Sequence, residues 1–176
     1  MTSSWVDSAR WGLRTRFRKA TGMMTAISAT FLLVGCAQPF TMQSEYRPTD
    51  HDWARANGTA TLSGEAFLRT RGGDVKTCAG RPIAILPDTA YTKELMAKGI
   101  SSHFGQPTNF DSRAKGLFRT SQCNAAGKFI FRSLPAGHWI VVANVTWETG
   151  NATTGGDIIG QAETTLGQVS DTIVTR

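Results

Sequence analysis

The chain has 176 residues, of which 40% are hydrophobic and 18% charged, with a formal charge of +6. These proportions exclude wholesale disorder and a collagen-like chain, and the length makes one folded domain the default. The charge suggests a nucleic-acid footprint until it is located. Arg10, Arg14, Arg16, Arg18 and Lys19 crowd the N-terminus against a single acid, Asp7, and leave the remainder close to neutral, so no nucleic-acid partner is expected.

Behind the basic stretch, residues 21–35 form a short apolar run carrying Met23, Met24, Ile27, Phe31, Leu32, Leu33 and Val34. A bilayer-spanning helix needs about 20 apolar residues, whereas a secretory signal places a shorter run behind a positive segment, so residues 1–35 read as a signal peptide. The run ends in Leu33-Val34-Gly35-Cys36, which resembles the lipobox of bacterial lipoproteins. That resemblance implies cleavage before Cys36 and lipidation of its thiol, with the covalent lipid as the sole attached group and no other cofactor. Ala37 and Gln38 follow the cysteine with no Asp directly after it, which by the same resemblance favours the outer membrane, on its periplasmic or its surface side. The mature chain is then anchored to a membrane and not threaded through it.

Assigning Cys36 to lipid leaves Cys78 and Cys123. In an oxidising compartment these are expected to pair, closing a loop that stabilises the fold by about 4 kcal/mol on the chain-entropy argument; two free thiols or half of a metal site are the alternatives.

Residues 36–57 are polar and aperiodic with isolated aromatics at Phe40, Tyr46 and Trp53, and read as the lipidated cysteine and a flexible tether. From Gly58 the pattern changes to short alternating runs between Gly-, Pro- and Asn-rich turns, the pattern of an all-β domain over 58–176. Residues 59–70 put Ala60, Leu62, Gly64, Ala66 and Leu68 on one face of a strand. Residues 75–87 carry Ile83 and Ile85 in phase, and residues 88–96 predict a short helix with an Asp start. Residues 97–115 form a long polar stretch holding His103, Phe104 and Phe110, a candidate binding loop. Phe129 and Phe131 share a face in 128–134, and Trp139, Val141, Ala143, Val145 and Trp147 share the apolar face of a strand over 138–148. The opposite face of that strand carries Ile140 and Val142, placed to pack under the long loop. Strands over 157–166 and 171–175 complete seven or so in a single antiparallel two-sheet sandwich.

The run from Asn124 to Val141, with its polar-Gly turn, Phe129 and Phe131 at spacing two, the Leu134-Pro135-Ala136-Gly137 turn, and Trp139 leading alternating aliphatics, resembles the hairpin of carboxypeptidase regulatory-like domains. These share a transthyretin-like or CnaB-like sandwich. The resemblance implies that fold and a noncatalytic role as scaffold, spacer or binding module.

The residues themselves offer little chemistry. H-E-x-x-H, G-x-S-x-G, C-x-x-C and phosphate-loop patterns do not occur. His51 beside Asp52 reads as a solvated pair in the tether, His103 lies in the long loop near Asp111, and His138 opens a strand. The expected protein is therefore not an enzyme and binds no metal. It is a lipid-anchored envelope protein whose sandwich serves structure, assembly or binding of another envelope protein; the alternative is a surface lipoprotein that binds a glycan or small ligand.

Overall fold

The computed structural model describes residues 38–101 and 105–176, so Cys36, His103 and Phe104 lie outside the described residues. Eight strands form two four-stranded sheets: β1 Ala60–Arg69, β2 Val75–Thr77, β3 Pro82–Pro87, β4 Arg119–Gln122, β5 Lys128–Leu134, β6 Gly137–Thr149, β7 Ala152–Thr164 and β8 Val169–Val174. Two helices, α1 Asp52–Arg55 and α2 Ala90–Ser101, lie outside the sheets, and no helix among the described residues is long and apolar enough to cross a membrane. The architecture is the all-β sandwich the alternation predicts.

In the first sheet β8 runs parallel to β1, and β5 and β2 pair antiparallel with it. The Ala66 N–H donates to the Gly127 carbonyl at 3.2 Å and the Ala66 carbonyl accepts from the Cys78 N–H at 3.0 Å. Both groups of one strand residue point to the same side, so β5 and β2 follow each other along one edge of β1. Gly64 sits where β1 is squeezed: a Cβ there would lie 2.2 Å from the Thr172 carbonyl oxygen and 2.8 Å from Phe129. The second sheet has the order β4-β3-β6-β7, all antiparallel.

The core lies between the sheets, where Ala60, Leu62 and Ala66 of β1 meet Ile83 and Ile85 of β3 and Trp139, Val141, Ala143 and Val145 of β6. Phe129 and Phe131 join this core from β5. They reach it from the opposite sheet, because β5 pairs with β1 whereas β6 pairs with β3 and β7. The Leu134-Pro135-Ala136-Gly137 turn therefore does not close a hairpin; it carries the chain across the sandwich. Two strands with one strongly apolar face each bury more surface by facing one another than by lying side by side.

Cys78, after β2, is bonded to Cys123, after β4, with Cα atoms 5.8 Å apart, so the disulfide fastens the first sheet to the second. The β6–β7 hairpin runs further than its alternation suggests, with Thr149 opposite Ala152. Trp147 there covers Gly155, whose absent Cβ would lie 2.8 Å from the indole, so an aromatic ring supplies the packing that the glycine lacks.

The segment read as a tether is docked from Gln38 onward. Met42, Tyr46, His51 and Ala54 are buried, and Trp53 packs edge-on against Trp139 with ring centroids 5.1 Å apart. Nor is His51 solvated: it is fully buried, with Nδ1 2.7 Å from the Arg47 carbonyl and Nε2 2.8 Å from Thr89 Oγ1. Tyr46 stacks on its ring at 4.7 Å. The carbonyl can only accept, so Nδ1 donates to it, while Nε2 is paired with the threonine hydroxyl. A His51→Phe variant keeps the stack but strands these partners, and urea unfolding is expected to show a loss of about 1–3 kcal/mol.

Candidate functional site: a cavity outside the second sheet

The outer face of the second sheet is apolar where a two-layer sandwich ordinarily meets water. Ile140 is buried and Val142 half-buried on β6, and Ala84 and Leu86 pair with them across the ladder from β3. A second hydrophobic cluster covers this face, built from Met42 and Tyr46 of the N-terminal segment, Tyr91 and Leu95 of α2, and Ala114 and Leu117 of the 3-10 turn Ser112–Leu117. Between cover and sheet lies a cavity of about 410 Å³. Its floor is Ala84, Leu86 and Val142. One wall is Leu95, Met96 and Gly99 of α2, and the other is Phe40 with Gly105, Gln106 and Pro107. Phe110, Lys115 and Phe118 complete the lining.

Each wall has a local cause. Helix α2 begins two residues later than the sequence suggests, at Ala90: the Thr89 hydroxyl accepts from the Thr92 N–H at 3.3 Å, and the Thr92 hydroxyl accepts from the Thr89 N–H at 3.0 Å. It also extends past Met96 to Ser101, taking up part of the expected loop. The N-terminal segment is held by backbone and side-chain bonds to distant residues. Phe40 exchanges hydrogen bonds with Gln106 (3.3 Å) and Thr108 (2.7 Å), and Asn109 pairs with both backbone groups of Met42 at 2.8 and 3.0 Å.

Glu94 of α2 fixes the next residues, accepting from the Gln43 and Ser44 N–H groups at 2.7 and 2.6 Å while the Lys98 ammonium lies 2.7 Å away. The Lys98 contact, then the bonds from Ser44 and Gln43, hold its carboxyl down at about 2 from the usual 4.5. Because the folded-state value lies below the unfolded one, this contribution is complete above pH 4.5 and is lost as the pH falls toward 2. A Glu94→Gln variant is therefore expected to melt lower than the parent at pH 6 and to converge with it near pH 2, which paired thermal melts would check.

Of the three loop residues singled out in the sequence, Phe110 lines the cavity, while His103 and Phe104 lie outside the described residues. Asp111 is engaged by Arg113, which bonds both carboxylate oxygens and holds the carboxyl below its usual range. Among the described residues no group of three His, Cys, Asp or Glu side chains is placed to hold a metal. His138 is exposed, 3.9 Å from Glu163. Sequence reasoning missed Phe40, Leu95, Met96 and Lys115 as cavity residues. The available signal was the apolar pair Ile140 and Val142 on the nominally outer face of β6.

A second depression, about 310 Å³, lies on the outer face of the first sheet among Ser63, Glu65, Lys128 and Asp171. It is open and mixed in character, lined also by Phe129 and Ile173, with the Ser63 hydroxyl donating to Asp171 at 2.9 Å.

No protein-family model and no curated protein matches the sequence. Among solved structures the chain is similar to a Pseudomonas aeruginosa protein described as a "putative carbohydrate binding protein", with a TM-score of 0.64 and 20% identity over 76% of this chain and 99% of that one. At that identity the likeness shows the fold alone, an all-β sandwich.

Proposed function

We propose that the chain is a noncatalytic envelope lipoprotein, held at the outer membrane by lipid on Cys36, whose sandwich is a ligand-binding module with the cavity under α2 as its site. The observation that carries this reading is the cavity itself. Its volume of about 410 Å³ falls within the range of roughly 300–1,000 Å³ typical of small-molecule sites, and its walls are elements added outside the sandwich proper. The lipobox-like Leu33-Val34-Gly35-Cys36 supports the anchor, and the likeness of residues 124–141 to carboxypeptidase regulatory-like domains supports a noncatalytic role. The name of the fold neighbour supports binding over mere spacing.

Two measurements test the two halves of the reading. Metabolic labelling with palmitate should mark the wild-type chain and not Cys36→Ser; labelling of both overturns the anchor. An apolar fluorescent reporter should bind the lipid-free protein at one saturable site that Ala84→Phe, which fills the cavity floor, removes. Absence of saturable binding, together with a near-stoichiometric envelope protein crosslinked to the native lipoprotein, would favour assembly over ligand binding.

Glycan binding is the second reading, favoured by the open depression on the first sheet, where Glu65, Asp171, Ser63 and Lys128 offer the acceptors and donors that sugar hydroxyls use. Retardation by polysaccharides in native gels, lost in a Glu65→Ala/Asp171→Ala variant, would support it; unretarded migration would remove it.

A further inference from the structure

We propose that the cavity under α2 takes a single-chain anionic amphiphile, a long-chain carboxylate, with its tail between the helix and the outer face of the second sheet and its carboxylate at Lys115. This rests on the binding-module reading above and names the ligand class.

The lining divides sharply by chemistry. Ala84, Leu86 and Val142 below and Leu95, Met96 and Phe110 around present hydrocarbon and thioether surface, and the side chains of Gln106 and Lys115 are the polar groups in the lining among the described residues. A sugar has a hydroxyl on almost every carbon, and each one buried here without a partner would cost about 1–3 kcal/mol. An alkyl chain incurs no such penalty, and apolar cavities of even about 150 Å³ stay dry and take up apolar guests. Met96, unbranched and polarisable, adapts to a flexible tail better than a branched side chain would.

Charge decides the other end of the ligand. Lys115 is the one charged side chain lining the cavity among the described residues; it is exposed and makes no ion pair or hydrogen bond with any of them. The neighbouring charges are already engaged: Glu94 by Lys98 and the Gln43 and Ser44 amides, and Asp111 by Arg113. An anion arriving at the rim therefore finds an uncommitted cation and no facing carboxylate on the lining. Gln38 adds a spatial argument. Its backbone touches Gly105 in the cavity wall, two residues from Cys36, so a lipid on Cys36 brings the cavity close to the phase where single-chain amphiphiles collect.

The test is titration calorimetry on residues 37–176, since the described residues from Gln38 to Arg176 belong to one compact unit. The probes are octanoate, decanoate and laurate, with the matching alcohols, all below micelle-forming concentrations. One site is expected, with affinity rising about four-fold per added methylene until the cavity is full. Lys115→Ala should weaken the carboxylates up to about five-fold and leave the alcohols unchanged. Ala84→Phe should abolish both series, with Val142→Phe as a second blocking variant if the first fails to fold. Equal weakening of both series by Lys115→Ala, or no weakening, overturns the anionic-head assignment while leaving the binding module standing. No saturable binding by either series overturns both. Binding by the lipid-free form that disappears in the lipidated protein would show that an acyl chain on Cys36 itself fills the cavity, and would overturn the free-carboxylate assignment.

Discussion

A Trp139→Ala variant is expected to lose about 3–5 kcal/mol of stability, enough to unfold much of the population of a domain this size at body temperature. Trp139 is fully buried at the centre of the intersheet core. Its indole N–H donates to Thr164 Oγ1 at 2.9 Å, and the Thr164 hydroxyl donates onward to the Pro135 carbonyl at 2.7 Å, so the ring ties β6 to β7 and to the crossing turn. The Arg119 guanidinium lies 5.9 Å from the ring centroid, and Trp53 rests on its edge. Truncation therefore opens a cavity that also undermines the docking of α1. Trp139→Phe, which retains most of the volume, should cost less than half as much. Urea unfolding of the three proteins gives the comparison; equal stabilities for wild type and Trp139→Ala would mean that the core does not depend on this ring.

Removing the Cys78–Cys123 bridge with paired alanines is expected to cost about 4 kcal/mol on the chain-entropy argument, given the sequence separation of 45. Alanine is the proper replacement because both positions are almost wholly buried, and a serine hydroxyl there would add a desolvation cost of its own. The cross-link joins strands of different sheets, so its loss should loosen the packing between them more than the ladders within each. Amide exchange is the discriminating measurement: protection at the β2 and β4 ends should fall further than protection along the β6–β7 hairpin. A uniform fall would mean that the bond acts on the unfolded chain alone.

The period-two faces of β1 and β6 are legible in the sequence because each has one side against the core and the pattern is local. The partner of β5 was not legible. A Pro-Gly turn announces a reversal, but whether the reversed chain pairs alongside or crosses to the other sheet depends on β1, more than 60 residues upstream of the turn, claiming the ladder first. The docking of residues 38–57 was hidden for a related reason. Met42 and Tyr46 show no period, and the groups that hold this stretch, Glu94 and Asn109, lie 50 to 67 positions away. The cavity could be glimpsed only in Ile140 and Val142, apolar residues on a face that alternation assigns to solvent. Lys115 carried no signal, since an exposed lysine in a polar stretch acquires a role only from the wall it stands beside.

The glycine pair in β7 bears on how these molecules behave in a crowd. β7 is the outermost strand of its sheet, and from Ala152 to Asp157 it has no neighbour on its far side among the described residues. A long straight rim of free amides and carbonyls is a template on which identical chains can stack into fibres. Gly155 and Gly156, at φ of +100° and +151°, turn that rim out of line. Thr153 and Thr154, both exposed beside it, are hydroxyl-bearing where an aggregating rim would be greasy. Gly155, the glycine that lets Trp147 settle onto the sheet, thus also helps to deny a second molecule a straight edge.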